Sequence, residues 1–278
     1  SHNLNVSSIM PYTVAKATPV LTFKANGGTS NLSLIYPQQV NISTSASAGT
    51  VGLDKDNVNY LTSNALNVTL SAGSYIFRAN ITGNQNYSDV AYSYYNITIN
   101  KTVPQGALTN TTSLTVTYPT AINVSYTETN TGDGDLTYKL YRDNVDVTAT
   151  EKGLNVTLSA GTYNYILNST GGANYSTNAS ISNFTIIIAQ ATPVITKLLN
   201  GGTSNITITY PQQVNATGLS TGGTINIFRG TTDVTSENGL NVSLSAGGYI
   251  YKFNVTGNTN YSGIAGEYMQ VNINKAAS

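Results

Sequence analysis

Eight residues, LNVTLSAG, stand at 66–73 and return unchanged at 154–161; a third copy, LNVSLSAG, stands at 240–247. Asn-Tyr-Ser recurs at 86–88, 174–176 and 260–262, Tyr-Pro at 36–37, 118–119 and 210–211, and a proline opens each copy at Pro19, Pro104 and Pro193. The period is roughly 85 to 89 residues. Self-similarity over that length commits the chain to three units of one architecture, each long enough to close a core of its own.

Inside a copy, apolar residues recur at every second position. NITITY (205–210), LNVSL (240–244) and YIYKFNVT (249–256) alternate in this way, with β-branched residues and Tyr dominant and glycine-rich joints such as NGGTS (26–30, 200–204) between them. That is the period of half-buried strands, and no stretch carries a helical stripe. About seven short strands per copy predict an all-β fold, a tandem array of three immunoglobulin-like antiparallel β-sandwiches. The expected division is a leading strand at 1–17 and repeats at 18–102, 103–191 and 192–278. YTVAKATPV (12–20) parallels IIIAQATPV (186–194), so the leader reads as the end of a preceding repeat or as a strand donated to a neighbour. With Ser1 at its start and VNINKAAS at its end, the chain reads as a piece of a longer array.

Residues 70–104, LSAGSYIFRANITGNQNYSDVAYSYYNITINKTVP, resemble the C-terminal half of the bacterial and archaeal Ig-like repeats of the group 3 type. The shared pattern is Leu-x-Ala-Gly-x-Tyr, an alternating strand, Gly-Asn-x-Asn-Tyr, a final strand and Lys-Ala-Thr-Pro. All three copies carry it. The resemblance implies a cell-surface module of the kind found in adhesins, sheath proteins, filaments and secreted enzymes, and it leaves the biochemical role open.

Twelve basic and twelve acidic residues make only 9% of the chain, against roughly 25% in an average soluble domain. Asparagine, serine and threonine take the place of charge on the surface. The net charge is zero and no Lys/Arg cluster occurs, which argues against a nucleic-acid partner and an electrostatic membrane anchor. No apolar run approaches the ~20 residues of a membrane-spanning helix. The absence of cysteine leaves the compartment undecided.

Twenty Asn-x-Ser/Thr triplets occur, where a Ser plus Thr content of 68 in 278 residues predicts about eight by chance. Four columns recur in every copy: Asn41/Asn123/Asn215, Asn67/Asn155/Asn241, Asn80/Asn168/Asn254 and Asn86/Asn174/Asn260. Alternation puts them out of phase with the core. With Tyr249, Tyr251, Phe253 and Val255 inward, Lys252, Asn254 and Thr256 point outward; with the leucines of Leu66–Leu70 inward, Asn67 faces solvent. These columns, with Asn31, Asn96 and Asn205, are the candidate glycosylation sites; the remaining triplets begin at Asn5, Asn100, Asn110, Asn178 and Asn183. No acidic residue precedes any of them by two positions, as in the short archaeal or eukaryotic signal. Glycans there would supply hydration, block sheet edges and shield loops.

Catalytic sets are not found. His2 is the only histidine and there is no Cys nucleophile, so neither a Ser-His-Asp triad nor a histidine zinc site is expected, nor any bound cofactor or metal. Asp133-Gly134-Asp135 and Asp54/Asp56 could be fragments of a calcium loop, but the third copy has no acid there, and a solvated turn is the favoured reading. Tyr75, Tyr163 and Tyr249 open a strand after a turn, where a buried ring with its hydroxyl bonded to backbone is expected. Tyr92, Tyr94 and Tyr95 belong to the first copy alone and read as the surface a partner could touch. The joint residues Lys16, Lys101, Gln190 and Lys275 lack the constancy an isopeptide cross-link needs.

The expected function is therefore non-enzymatic. One class is structural: a semi-rigid, N-glycosylated, archaeal Ig-like rod in an extracellular fibre, sheath or surface stalk, associating with copies of itself. The other is an adhesin or carbohydrate-binding module at the cell surface, with a cell-surface or carbohydrate receptor as partner; a spacer of a secreted enzyme is the third.

Overall fold

The computed structural model describes residues 10–130, 134 and 136–277, so that His2, Asn5, Asp133 and Asp135 lie outside the described residues. The chain divides into two compact units. One takes the chain up to Gln105 with Asn130–Tyr138 and Ser169–Ala179; the other takes Gly106–Thr129, Lys139–Asn168 and the chain from Ser180.

The first sandwich is built from β1 (Leu21–Ala25), β2 (Leu32–Ile35), β3 (Gln39–Ala46), β4 (Thr50–Lys55), β5 (Val58–Asn59), β6 (Asn67–Thr69), β7 (Gly73–Thr82) and β8 (Val90–Asn100). They form a three-stranded sheet, β1-β3-β6, facing a five-stranded one, β2-β8-β7-β4-β5. The period of two does the sorting: on β7, Phe77, Ala79 and Ile81 are fully buried while Ile76, Arg78 and Asn80 turn outward. Each such ring or branched side chain gains about 1.5–3 kcal/mol by leaving water. Phe77 meets Leu53, Ile97, Ile99, Val40 and Ile42 in one core.

The same order is copied twice. The second sandwich has β9 (Gly106–Asn110), β10 (Thr115–Thr117), β11 (Ile122–Glu128), β12 (Thr137–Arg142), β13 (Val145–Asp146), β14 (Asn155–Val156), β15 (Gly161–Gly171) and β16 (Asn178–Ala189), arranged β14-β11-β9 and β10-β16-β15-β12-β13. The third has β17 (Ile195–Leu199), β18 (Ile206–Thr209), β19 (Val214–Ser220), β20 (Thr224–Arg229), β21 (Thr232–Asp233), β22 (Asn241–Val242), β23 (Gly247–Thr256) and β24 (Ile264–Asn274), arranged β17-β19-β22 and β18-β24-β23-β20-β21. Their cores centre on Leu140, Tyr165 and Ile186, and on Ile227, Phe253 and Val271.

The antiparallel sandwiches each contain one parallel pair. β2 runs parallel to β8, β10 to β16 and β18 to β24. The cause lies in NGGTS. At Asn26 (φ 47°) and Gly27 (φ 79°), and again at Asn200 (φ 47°) and Gly201 (φ 80°), the backbone enters the left-handed region. There the first strand leaves the three-stranded sheet, and its continuation lies beside the last strand of the other sheet. The second copy has no glycine at this crossing; Asn110 Nδ2 donates to Thr112 O at 2.7 Å instead.

The described part of the leader is not a strand. Residues 10–16 pair with nothing in a ladder, Tyr12 and Val14 are 91% exposed, and only Ala17 forms a bridge, to Tyr87. Their counterparts in the second copy, Ile186 and Ile188, are core residues because β10 and β15 flank them.

Each copy also repeats a small side-chain turn. Asn59 Oδ1 accepts the Leu61 N–H at 2.9 Å, Asp146 Oδ1 the Thr148 N–H at 3.0 Å and Asp233 Oδ1 the Thr235 N–H at 2.9 Å. The Thr148 hydroxyl, and then the Lys139 ammonium, hold the Asp146 carboxyl down to about 2; the Thr235 N–H and hydroxyl lower Asp233. A lowered folded value means these bonds support the fold above the unfolded carboxylate value of about 4 and fade as the pH falls through the folded value. Carboxyl NMR titration should therefore find Asp146 with a midpoint near 2, and Asp146→Asn should keep the turn, as Asn59 does, while removing the acid dependence there.

A second expectation concerns Ala65. It stands at φ 63°, where the other copies place Gly153 (φ 71°) and Gly239 (φ 73°). A left-handed residue with a Cβ costs about 1 kcal/mol, so Ala65→Gly should leave the first sandwich unchanged or up to about 1 kcal/mol more stable in urea denaturation.

Candidate functional site

The first two asparagine columns face each other. Asn41 stands opposite Asn67, Asn123 opposite Asn155 and Asn215 opposite Asn241 across the β3–β6, β11–β14 and β19–β22 pairs. In each pair the first asparagine donates twice from Nδ2. Asn41 donates to Ala65 O at 3.0 Å and to Asn67 Oδ1 at 2.9 Å. Asn123 donates to Gly153 O at 3.0 Å and Asn155 Oδ1 at 3.1 Å, and Asn215 to Gly239 O at 2.8 Å and Asn241 Oδ1 at 3.2 Å. The first column is half-buried. Asn67, Asn155 and Asn241 are exposed, and among the described residues their Nδ2 groups have no partner.

The leucine that opens this motif points the other way from its expected direction. Leu66 is 56% exposed and Leu154 and Leu240 are likewise exposed, whereas Val68 and Leu70 turn inward. The left-handed residue at 65, 153 and 239 resets the chain, so the strand's alternation begins only at the asparagine.

Asn80, Asn168 and Asn254 lie half-buried on the outer face of β7, β15 and β23. At Asn80 and Asn254 the pairing with the last strand slips by a bulge. Asn80 fills the space over Gly52, where a Cβ would collide with its Oδ1. Tyr251, Phe253 and Val255 point into the core and Thr256 outward, as the alternation requires. Asn31 and Asn205 are exposed, and their Oδ1 atoms accept the backbone N–H of Asn96 at 2.9 Å and of Gln270 at 2.8 Å; Asn96 is itself exposed.

The fourth column builds joints. In the first unit, Asn174 is only 5% exposed, and its Oδ1 accepts the Ala72 N–H at 2.7 Å. Around that bond the Thr102 N–H donates to Asn174 O, the Ser176 N–H to Thr102 O, and Lys101 Nζ to Gly172 O at 2.7 Å; the Tyr175 ring meets Tyr36 edge-on at 5.8 Å. The second unit repeats the set. Asn260 Oδ1 accepts the Ala160 N–H at 2.9 Å, Ala191 bridges Asn260 and Ser262, and Tyr261 meets Tyr118 edge-on at 5.5 Å. Gln190 Nε2 donates to Asn258 O at 2.7 Å, the same task as Lys101, which explains why the two residues exchange at this position. Asn86 is exposed, and the chain beside it carries the same bridge from Ala17. At Asn174 the outward direction expected of the column fails, since its side chain lies inside the joint.

Tyrosine follows the packing reading in part. Tyr75, Tyr163 and Tyr249 each donate a hydroxyl hydrogen bond to the carbonyl four residues earlier, Ser71, Ser159 and Ser245, at 2.9 Å. Of the first-copy cluster, Tyr95 belongs to the core: it stacks on Phe23 at 4.4 Å and donates to Phe23 O. Tyr92 and Tyr94 are exposed, with the Arg78 guanidinium 4.3 Å from the Tyr92 ring centre. The third copy also exposes a tyrosine on this face, since Tyr268 pairs with Lys252 as Tyr94 pairs with Arg78.

Of the acids, Asp54 pairs with Arg78 at 2.9 Å and Asp56 Oδ1 accepts the Ile76 N–H. Among the described residues no three of His, Asp and Glu gather in the way a metal ion needs. One cluster escaped the sequence reading. Glu151, 6% exposed, stands 2.6 Å from Arg142 Nη1 and accepts the Tyr165 hydroxyl at 2.8 Å; burial, then the Glu151 bond, pushes the Tyr165 hydroxyl up. The third copy uses the same three residue types with different bonds: Arg229 Nη1 donates to the Glu237 carboxylate and to the Tyr251 hydroxyl, and the first copy puts Phe77 in the tyrosine's place. The pairing of Arg142 with Glu151 and Arg229 with Glu237 is the signal that could have revealed it.

No family profile and no curated protein matches the chain. Three solved structures are similar to the chain at low identity. Fibronectin(III)-like modules of Clostridium thermocellum CbhA are 12% identical over 61% of this chain and 95% of theirs, with a TM-score of 0.25. SGBP-B of the Bacteroides ovatus mixed-linkage glucan utilization locus, in complex with a mixed-linkage heptasaccharide, is 14% identical over 94% of this chain and 71% of its own, at 0.26. The N-terminal four Ig domains of Dscam1 isoform 9.44 are 11% identical over 92% and 73%, at 0.27. Likeness at this level carries no argument about the role of this chain.

Removing the Asn174 acceptor leaves the Ala72 N–H without its partner, at a cost of about 1–3 kcal/mol. Asn174→Ala should therefore lower hydrogen-exchange protection of the Ala72 amide about tenfold or more, and leave the Ala160 amide, bonded to Asn260, unchanged.

Proposed function

We propose that the chain is a non-enzymatic structural component of an extracellular fibre, sheath or surface stalk, built from Ig-like repeats of the bacterial and archaeal surface type, N-glycosylated and assembling with copies of itself. The observation that carries this reading is the doubled joint. The bonds of Asn174 to Ala72 and of Asn260 to Ala160, with Tyr36–Tyr175 and Tyr118–Tyr261 beside them, copy one contact in two places. A contact copied with its partners is what a semi-rigid spacer requires, whereas a recognition module varies the copy that binds. The sparse charge and dense Asn-x-Ser/Thr content support an oligosaccharide-coated exterior.

The exposed Tyr92 and Tyr94 favour a second reading, an adhesin or carbohydrate-binding module using that face. Sedimentation velocity and electron microscopy of the chain secreted from a glycosylating host separate the two. Concentration-dependent assembly unaffected by Tyr92→Ala/Tyr94→Ala is the expected result. A monomer at every concentration that binds an oligosaccharide through those tyrosines would transfer the assignment to the second reading.

A further inference from the structure

The facing asparagine columns carry a sharper assignment, one that rests on the glycosylation proposed above. Both members of each pair belong to an Asn-x-Ser/Thr triplet, and both lie on the same strand pair. They differ in their hydrogen bonds and in exposure, the first being half-buried and the second exposed. We propose that each pair is a one-of-two modification site: Asn67, Asn155 and Asn241 take the oligosaccharide, and Asn41, Asn123 and Asn215 stay bare.

The chemistry runs through Nδ2. In transfer from a polyprenyl-phosphate-linked oligosaccharide, the amide nitrogen attacks the anomeric carbon, the bond from that carbon to the carrier's phosphate oxygen breaks, and the carrier phosphate departs. The nitrogen loses one proton to base and keeps one. At Asn41 both protons already have acceptors, Ala65 O at 3.0 Å and Asn67 Oδ1 at 2.9 Å, so a sugar there removes a bond that the other two copies also make. At Asn67 only the carbonyl oxygen is engaged. Its nitrogen gains a sugar while Oδ1 goes on accepting from Asn41, and the residue is already exposed.

The order of events does not change the outcome. After folding, the Asn41 amide is tied and half-buried, out of an enzyme's reach. Before folding, a sugar on Asn41 takes away a hydrogen bond that ties β3 to the turn before β6, at about 0.5–1.5 kcal/mol, so chains modified there are the less stable ones and are depleted from the folded, secreted pool. Asn41 thus acts as the positioning amide for the acceptor beside it.

Site-resolved glycopeptide mass spectrometry on the folded chain, secreted from a host that modifies Asn-x-Ser/Thr, tests this. The expected result is occupancy at Asn67, Asn155 and Asn241 at least tenfold above that at Asn41, Asn123 and Asn215. Equal occupancy within pairs, or the reverse order, overturns the assignment, as does sugar at other triplets with both columns bare; in each case the broader glycosylation reading stands. Bare asparagines throughout overturn both. Thr69→Ala supplies an independent check, because it abolishes the Asn67 triplet yet leaves the Asn67 side chain and its bond in place. Asn41 should then remain bare; a sugar appearing there would show that competition between neighbours, not the tied amide, had kept it unmodified.

Discussion

An asparagine side chain offers one acceptor and two donor protons at the end of a short stem, and this chain uses that set wherever segments of backbone must be tied without a strand between them. Asn26 and Asn200 receive the N–H of Asn41 and Asn215 where the first strand changes sheets. Asn64 and Asn238 each make two bonds, accepting from and donating to the backbone of Thr44 and of Gly218. Asn174 and Asn260 close the joints. A buried backbone group left unpaired costs about as much as a lost hydrogen bond, so these amides let a chain with few charges and many turns satisfy its backbone.

The sequence made the scaffold legible because two strong periodicities agreed: alternation within a copy and recurrence between copies. Nothing comparable marked the parallel strand pair, since β2 is only four residues long and its place depends on the left-handed Asn26-Gly27 turn. The outward columns were legible to the extent that alternation alone sets direction, as at Asn254. They were misread where a side chain leaves the strand rule behind. Asn174 lies in a turn, so its neighbours along the chain do not say which way it points; Leu66 precedes the first residue of its strand and follows a left-handed one. Tyr95 illustrates the remaining ambiguity, since three tyrosines within four positions occupy both faces of β8 and only the packed structure shows which is which.

Differences between copies are as informative as their likeness. Where the first core has Phe77, the second and third have a tyrosine beside an Arg-Glu pair, the glutamate buried in the second copy and half-buried in the third. Taking an ion pair out of water is repaid only with good geometry and further hydrogen bonds. Tyr165 supplies one to Glu151, and a phenylalanine with no such pair around it is the apolar solution to the same space.

The balance of forces bears on the setting in which such a chain works. Charged pairs weaken with salt within a Debye length of about 8–10 Å at ordinary ionic strength, and carboxylate turns such as that of Asp146 weaken in acid. The bonds at the joints are of another kind: amide to backbone, backbone to backbone, ring edge to ring face. None of these bonds depends on a counter-charge. The exception, Lys101, is replaced at the other joint by Gln190, which makes the same bond to a loop carbonyl without a charge. Contacts made through amides persist when salt varies, and the ion pairs among the described residues lie within single sandwiches, where their loss would not uncouple one repeat from the next.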